Sequence, residues 1–255
     1  MNFKPPNTAM ILLMGHLFVG AIGCGEMKES EITQIKDLPP LPDKITPESL
    51  PRSDNRSPQD ITIALVGEVR GEIEPCGCPT LPFGGFERRT TQLGRLADTG
   101  PTPIFHIDAG DLLLKGFATE RADNMARRAK ETLELSLLAG VELWVPGPSD
   151  LIALPAKQMK TVRAPPRISA TWTNGEGNLL FPPFSVLKKE GVQIGVIGLS
   201  AEPPSDSGVV MRPAVDAIND ALTQLPTNLD LVIAVGSIND QDIADIRDQV
   251  SGISA

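Results

Sequence analysis

From residue 61 onward the hydrophobic positions alternate between two periodicities. ITIALV at 61–66 is a largely β-branched apolar run and predicts a buried strand of a parallel sheet. FERRTTQLGRLA at 86–97 sets Leu93 and Leu96 among polar residues and predicts a surface helix, and PIFHID at 103–108 predicts a second strand. The stretch 119–139 repeats apolar positions at Ala122, Met125, Ala129, Leu133 and Leu137, the 3.6-residue spacing of a helix, with Gly140 placed to end it. VELWV at 141–145 predicts a third strand. A short helix follows over 150–160 with Asp150 near its N-cap, then a brief strand over 167–170. Residues 184–189 and 192–199 form a predicted hairpin across Glu190-Gly191. After it come a helix over 215–225, a strand over 229–235, and a helix over 240–250 capped by Asn239 or Asp240. Strands alternating with helices at this spacing predict a layered α/β fold with a mostly parallel central sheet and helices on both faces.

The first sixty residues follow neither periodicity. AMILLMGHLFVGAIG at 9–23 is an apolar run too short for a confident membrane span and of the right length for the core of a signal peptide. It ends in Ala21-Ile22-Gly23 directly before Cys24, which resembles the lipobox of bacterial lipoproteins. The expectation is a signal peptide over 1–23, a lipid-carrying Cys24, and a protein held in the cell envelope on the periplasmic face of a bacterial membrane. A general secretory signal cut near Gly23, or an uncleaved anchor, is the alternative. Residues 24–59 contain Pro39, Pro40, Pro42, Pro47, Pro51 and Pro58 without an apolar run, and such a segment buries too little surface to offset its ordering entropy. It is read as a flexible tether, and the folded domain as residues 60–255.

Composition narrows the function classes. Removing Lys4 with the signal leaves 22 of the 23 Lys and Arg against 32 Asp and Glu, and no basic stripe interleaves with aromatics, so nucleic acid is not an expected partner. Tyrosine is absent, and the core must rest on Leu, Ile, Val and Ala. No GxGxxG occurs, and no Gly-rich segment ends in Gly-Lys-Ser/Thr. Of the three cysteines, only Cys76 and Cys78 remain as thiols once Cys24 is lipidated. One intervening residue is too few for an ordinary structural disulfide. A Pro-Cys-Gly-Cys-Pro loop outside the cytoplasm could instead bind a soft metal, or cycle through oxidation with an envelope redox partner.

The chemistry-bearing residues gather at predicted strand ends, where open α/β sheets place their ligands. Glu68 and Arg70 follow the first strand, and Asp108 and Asp111 close the second. Asp150 follows the third. Glu68, Asp111 and Asp150 form an oxygen-rich candidate set for a divalent metal, and Arg70, with Arg88 and Arg89, a candidate anion site for a phosphate-containing small molecule. Each has a structural alternative: Asp111 and Asp150 as caps, Glu68 and Arg70 as a mutual ion pair, His106 as a packed strand residue, Arg88 and Arg89 as a solvated helix start. The Cys-Gly-Cys loop has one too, a compact turn.

Segments VGEVRGEIEP at 66–75, GGFERR at 84–89, HIDAGDLL at 106–113, VPGPSDL at 145–151, ISATW at 168–172, GVQIGVIGLS at 191–200 and LDLVIAVGS at 229–237 resemble the N-terminal domain of the calcineurin-like metallophosphoesterases, in particular the 5'-nucleotidase branch. The resemblance implies a layered α/β/β/α sandwich, C-terminally incomplete, because the family's closing Gly-His-x-His would fall beyond Ala255. It also implies two divalent metals at the strand ends, yet the residues depart from that pattern. Where the family has Asp-x-His this chain has Glu68-Val69-Arg70. Gly110-Asp111 keeps the bridging aspartate. Where the family has Gly-Asn-His, the histidine being the acid, stands Gly147-Pro148-Ser149, and a later histidine ligand falls near Gly236. A dinuclear hydrolytic site needs imidazoles and carboxylates around ions about 4 Å apart, and beyond residue 24 the one histidine is His106. The expected function is a lipid-anchored domain of metallophosphoesterase ancestry without phosphatase activity. It would bind, or take part in redox chemistry, through the Cys loop and strand-end pocket. The alternative is a metal-dependent phosphoesterase or 5'-nucleotidase with a rebuilt centre, and a plain structural lipoprotein is a third.

Overall fold

The structure is a computed structural model, which describes residues 10–12, 60–75, 77, 84–100, 102–113 and 122–254. The expected lipidation site Cys24, its tether, Cys76 and Cys78 lie outside the described residues.

Two sheets face each other across an apolar core. The first has the order β1 (Met10–Leu12), β2 (Thr62–Val66), β3 (Ile104–Asp108) and β4 (Leu143–Trp144), all parallel; β1 falls within the expected signal peptide, outside the expected domain of 60–255, and a processed chain would begin this sheet at β2. The second contains β6 (Phe184–Lys189), β7 (Val192–Leu199) and β9 (Leu231–Gly236), with β6–β7 an antiparallel hairpin and β7–β9 parallel. Between them pack Ile63, Phe105, Ile107, Leu143 and Val145 from the first sheet and Ile194, Val196, Ile233 and Val235 from the second. Alternation along each strand sends the other set of side chains outward, where helices cover them. Helices α2 (Ala122–Leu138), α3 (Pro148–Ala153) and α4 (Ala156–Met159) close the outer face of the first sheet around Leu133, Trp144, Leu154 and Met159, with Phe86 of α1 (Phe86–Asp98) in the same cluster. Helices α5 (Ala214–Gln224) and α6 (Asp240–Gln249) cover the second around Ile197, Ile218 and Ile246. The architecture is the expected α/β/β/α sandwich, with two sheets in place of a single central one.

Most elements fall where the periodicity put them. The hairpin turns at Glu190 and Gly191, whose φ values of 49° and 84° are those of a tight two-residue turn. Gly140 ends α2 with φ 73° and Asn239 caps α6 by accepting from the Asp242 N–H. Three expectations need correction. The predicted helix over 150–160 is two short helices, because Leu154 is extended, as a residue before proline tends to be, and Pro155 interrupts the run. Its first turn starts at Pro148, so Asp150 is the third helical residue and Gly147 the cap. The brief strand over 167–170 is instead a crossover: Ile168 N–H bonds Trp144 O in the first sheet and Ala170 N–H bonds Gly198 O in the second. That crossing runs so close that a side chain on Gly198 would meet Ile168 O at 2.6 Å. The two-residue strands β5 (Trp172–Thr173) and β8 (Val210–Met211) pair antiparallel and were not predicted.

Candidate functional site

Parallel strands deliver their carboxyl ends to one edge, and the loops there are fastened to each other. After β2, the N–H groups of Glu68, Arg70 and Gly71 donate to the carbonyls of Gly110, Asp111 and Leu112 at 2.7–2.8 Å, so the β2 and β3 loops run on as an irregular ladder. A Cβ on Gly147 would stand 2.5 Å from the Asp111 nitrogen, and one on Gly110 would stand 3.5 Å from Ser237, next to Gly236 at the end of β9. Glu68, Asp111, Gly147 and Gly236 therefore converge as the strand order required.

Three residues in this cluster are left-handed without being glycine: Glu68 at φ 54°, Arg70 at φ 51° and Asp111 at φ 51°. Each such conformation costs about 1 kcal/mol or more and persists only where surrounding contacts impose it. The ladder bonds are those contacts.

What the side chains do differs from the expected metal set. Asp111 Oδ1 accepts from the Ser149 N–H at 2.9 Å and from the Ser149 hydroxyl at 2.7 Å. Two donors occupy both lone pairs of that oxygen, and the carboxylate caps the first turn of α3 from a neighbouring loop. Glu68 pairs with Arg70 at 3.3 Å, both about half exposed, which contributes little stability but occupies each with the other. Asp150 is fully buried: Oδ1 accepts from Leu113 N–H at 2.7 Å, and Oδ2 from Gly147 N–H at 2.8 Å and Trp144 Nε1 at 3.3 Å. Burial pushes its pKa up to about 7, with those backbone donors pulling against the rise. It is the return half of a capping box at the start of α3.

Among the described residues no three His, Cys, Asp or Glu side chains come together as a group able to hold a metal ion. Asp111 Oδ1 is taken by Ser149, Glu68 pairs with Arg70 and Asp150 holds backbone donors, while the one histidine beyond residue 24, His106, is buried on β3; the donors present do not fit the imidazole-rich dinuclear centre that the resemblance implies. Asp150, the third residue of α3, holds the Gly147 N–H at the start of that helix. Arg70, paired with Glu68, keeps about half its side chain exposed at the strand-end edge.

A second polar group lies beneath the first sheet's helical cover. His106 and Asp108 share one face of β3, and α1 lies over them. Arg88 is exposed as expected, but Arg89 is not a solvated helix start. Its guanidinium stacks over Phe86 at 4.4 Å and its charge acts on both Asp108 and His106. Burial lifts Asp108 to about 8 against the pull of Arg89, and burial with the Arg89 charge lowers His106 to about 4. The signal was in the sequence. Phe86, Arg89, Leu93 and Leu96 share a helical stripe, so Arg89 stands at a position facing the core.

No family model matches the chain and no curated protein sequence matches it. Solved structures do. A 5'-nucleotidase precursor from Thermus thermophilus superposes with a TM-score of 0.56 at 18% identity, over 70% of this chain and 37% of that one. The calcineurin-like phosphoesterase YfkN from Bacillus subtilis gives 0.60 at 15%, over 76% and 69%. The sulfate thiohydrolase SoxB from Thermus thermophilus gives 0.53 at 17%, over 68% and 33%. The likeness shows the fold, that of calcineurin-like phosphoesterases and 5'-nucleotidases. Against the nucleotidase precursor, this chain spans little more than a third of the neighbour's length.

Asp108 gives the site a pH signature. A carboxyl held neutral in the folded state up to about 8 keeps a proton that the unfolded chain releases near 3.8, so its contribution to stability falls as pH rises between those values. Relative to wild type, Asp108→Asn should therefore gain stability from pH 5 to pH 8, by about 1 kcal/mol or more, in urea unfolding. His106 and Asp150 titrate in both proteins and largely cancel in the difference. A flat difference across that range would mean that Asp108 is already ionised at pH 5.

Proposed function

We propose that this chain is a lipid-anchored envelope domain that keeps the phosphoesterase fold without phosphoester hydrolysis, and that it works as a binding or redox-associated module through the Cys76–Cys78 loop and the strand-end pocket. The observation that carries the reading is the double hydrogen bond from Ser149 to Asp111 Oδ1. An aspartate in the position of a bridging ligand is used here to start a helix. The neighbouring carboxylates are engaged as well, and Pro148 and Ser149 supply no group able to protonate a leaving alkoxide near neutral pH. In this reading Arg70 draws anionic ligands to the cleft mouth. The two thiols, on the loop that leads from β2 into α1, supply the reactivity.

Anchoring rests on the sequence: an apolar run that stops at Cys24, followed by a proline-rich tether. Replacing Cys24 by Ser should release the protein from the membrane fraction or leave it unprocessed on a gel. Membrane fractionation of C24S at the processed size would contradict lipid attachment.

Hydrolysis is tested with an aryl phosphate and AMP across pH 5–9, with Mg²⁺, Mn²⁺ or Zn²⁺ supplied. Turnover should not exceed that of an Asp111→Ala variant, while thiol titration should register two reactive groups that C76S/C78S removes. Metal-dependent turnover abolished by D111A and indifferent to the cysteine changes would replace this proposal with a hydrolase.

A further inference from the structure

Three buried side-chain atoms under α1 have no hydrogen-bond partner among the described residues: Arg89 Nη1, His106 Nε2 and Asp108 Oδ2. Asp108 is wholly inaccessible and His106 nearly so. Leaving such groups unpaired costs about 1–3 kcal/mol each, so three in the layer between α1 and β3 demand an account. They come from two elements. His106 and Asp108 stand two residues apart on one face of β3, and Arg89 reaches down from α1 so that its charge acts on both. The adjoining groove between β2 and α1 is lined by Thr62, Ala64, Val66, Arg89, Gln92, Leu93 and Leu96.

The hydrogen-bonding roles are complementary. His106 Nδ1 lies 3.2 Å from Ala139 O, a carbonyl that can only accept, so Nδ1 carries the proton and Nε2 of the neutral ring is an acceptor. Arg89 Nη1 is a donor. Asp108 Oδ1 already accepts from Gly110 N–H at 3.2 Å, which leaves Oδ2 to accept when ionised or donate when protonated. No pair of these three atoms is hydrogen-bonded, and none of them meets another partner among the described residues.

We propose that Arg89, His106 and Asp108 form an internal water site that fastens α1 to β3. One water accepts from Arg89 Nη1 and donates to His106 Nε2. Its remaining hydrogen or lone pair meets Asp108 Oδ2 in either protonation state. A buried water with three polar partners is a normal component of a folded core. A metal cation is disfavoured there by the guanidinium, and an anion by the acceptor on His106 and the carboxyl of Asp108.

The site has a consequence at the cleft. α1 starts at Phe86, directly after the 76–83 stretch that carries the cysteines, and β3 runs through Ala109 and Gly110 into Asp111. The water thus ties the root of the Cys loop to the strand that holds Asp111. This consequence rests on the proposed role of the Cys loop, whereas the water site itself does not.

A crystal structure of the soluble mature chain tests the site. Ordered density is expected about 2.7–3.2 Å from Arg89 Nη1, His106 Nε2 and Asp108 Oδ2 together. A direct Arg89–Asp108 bond, or no ordered water between them, would overturn the proposal. Fastening is read by amide hydrogen exchange. In Arg89→Met, which keeps the stem but removes the donor, exchange across α1 should quicken about tenfold while α5 is unchanged. Equal protection of α1 in both proteins would refute the fastening. Should R89M not fold, R89K, which retains a donor on a shorter head, should show the same effect in smaller degree. Thiol titration reports on the Cys loop separately, so failure of that role is distinguishable from failure of the water site.

Discussion

The bond pair between Ser149 and Asp111 Oδ1 is the interaction on which the strand-end edge depends. Asp111 sits in a left-handed conformation that an aspartate tolerates but does not prefer, and the Arg70 N–H to its carbonyl holds it from the other side. With the backbone so fixed, the carboxylate points at the first turn of α3, whose free N–H groups attract negative charge. Gly147 has to be glycine for this approach, since any Cβ there would collide with the Asp111 carboxylate and nitrogen. Asp150 completes the arrangement from within the helix by binding Gly147 and Leu113. Two aspartates that read as metal ligands thus become the two ends of one helix-capping device.

Charge is distributed so that the fold tolerates several buried ionisable groups in one layer. Asp108 and Asp150 are both held toward their neutral forms by burial, with Arg89 between α1 and β3 offsetting the first and backbone N–H groups the second. His106 is held neutral by the same burial and the same arginine. On the far side of that strand, Lys189 bridges from the second sheet to Ile104 O at 2.5 Å and Glu142 at 2.7 Å, joining the two sheets at their other edge. The sandwich is therefore pinned by polar contacts at the margins and by aliphatic packing at its centre.

The fold was legible because strands of five or more residues with β-branched runs, and helices of ten or more with a clear stripe, announce themselves through periodicity. What escaped was short or non-local. Trp172–Thr173 and Val210–Met211 are strands only because they meet each other, and two residues carry no period. The residue types at the site were legible as well, and so was their convergence. Their engagement was not, because a Ser149 hydroxyl reaching Asp111 across 38 positions leaves no trace in local sequence. Arg89 is the intermediate case. Its place on the apolar stripe of α1 was visible, but its charge argued for solvent or an anion.

Manganese binding tests the central claim most directly, because Mn²⁺ prefers the oxygen ligands of the strand-end edge over the thiols of the Cys loop. Electron paramagnetic resonance of Mn²⁺ titrated into the mature chain counts bound ions independently of any turnover. With Asp111 engaged by Ser149, the titration should match that of Asp111→Ala, with no stoichiometric site and no spin-coupled pair. Two Mn²⁺ bound per chain with a coupled signal, lost in Asp111→Ala, would show that the carboxylate is free to bridge metals and would contradict the account.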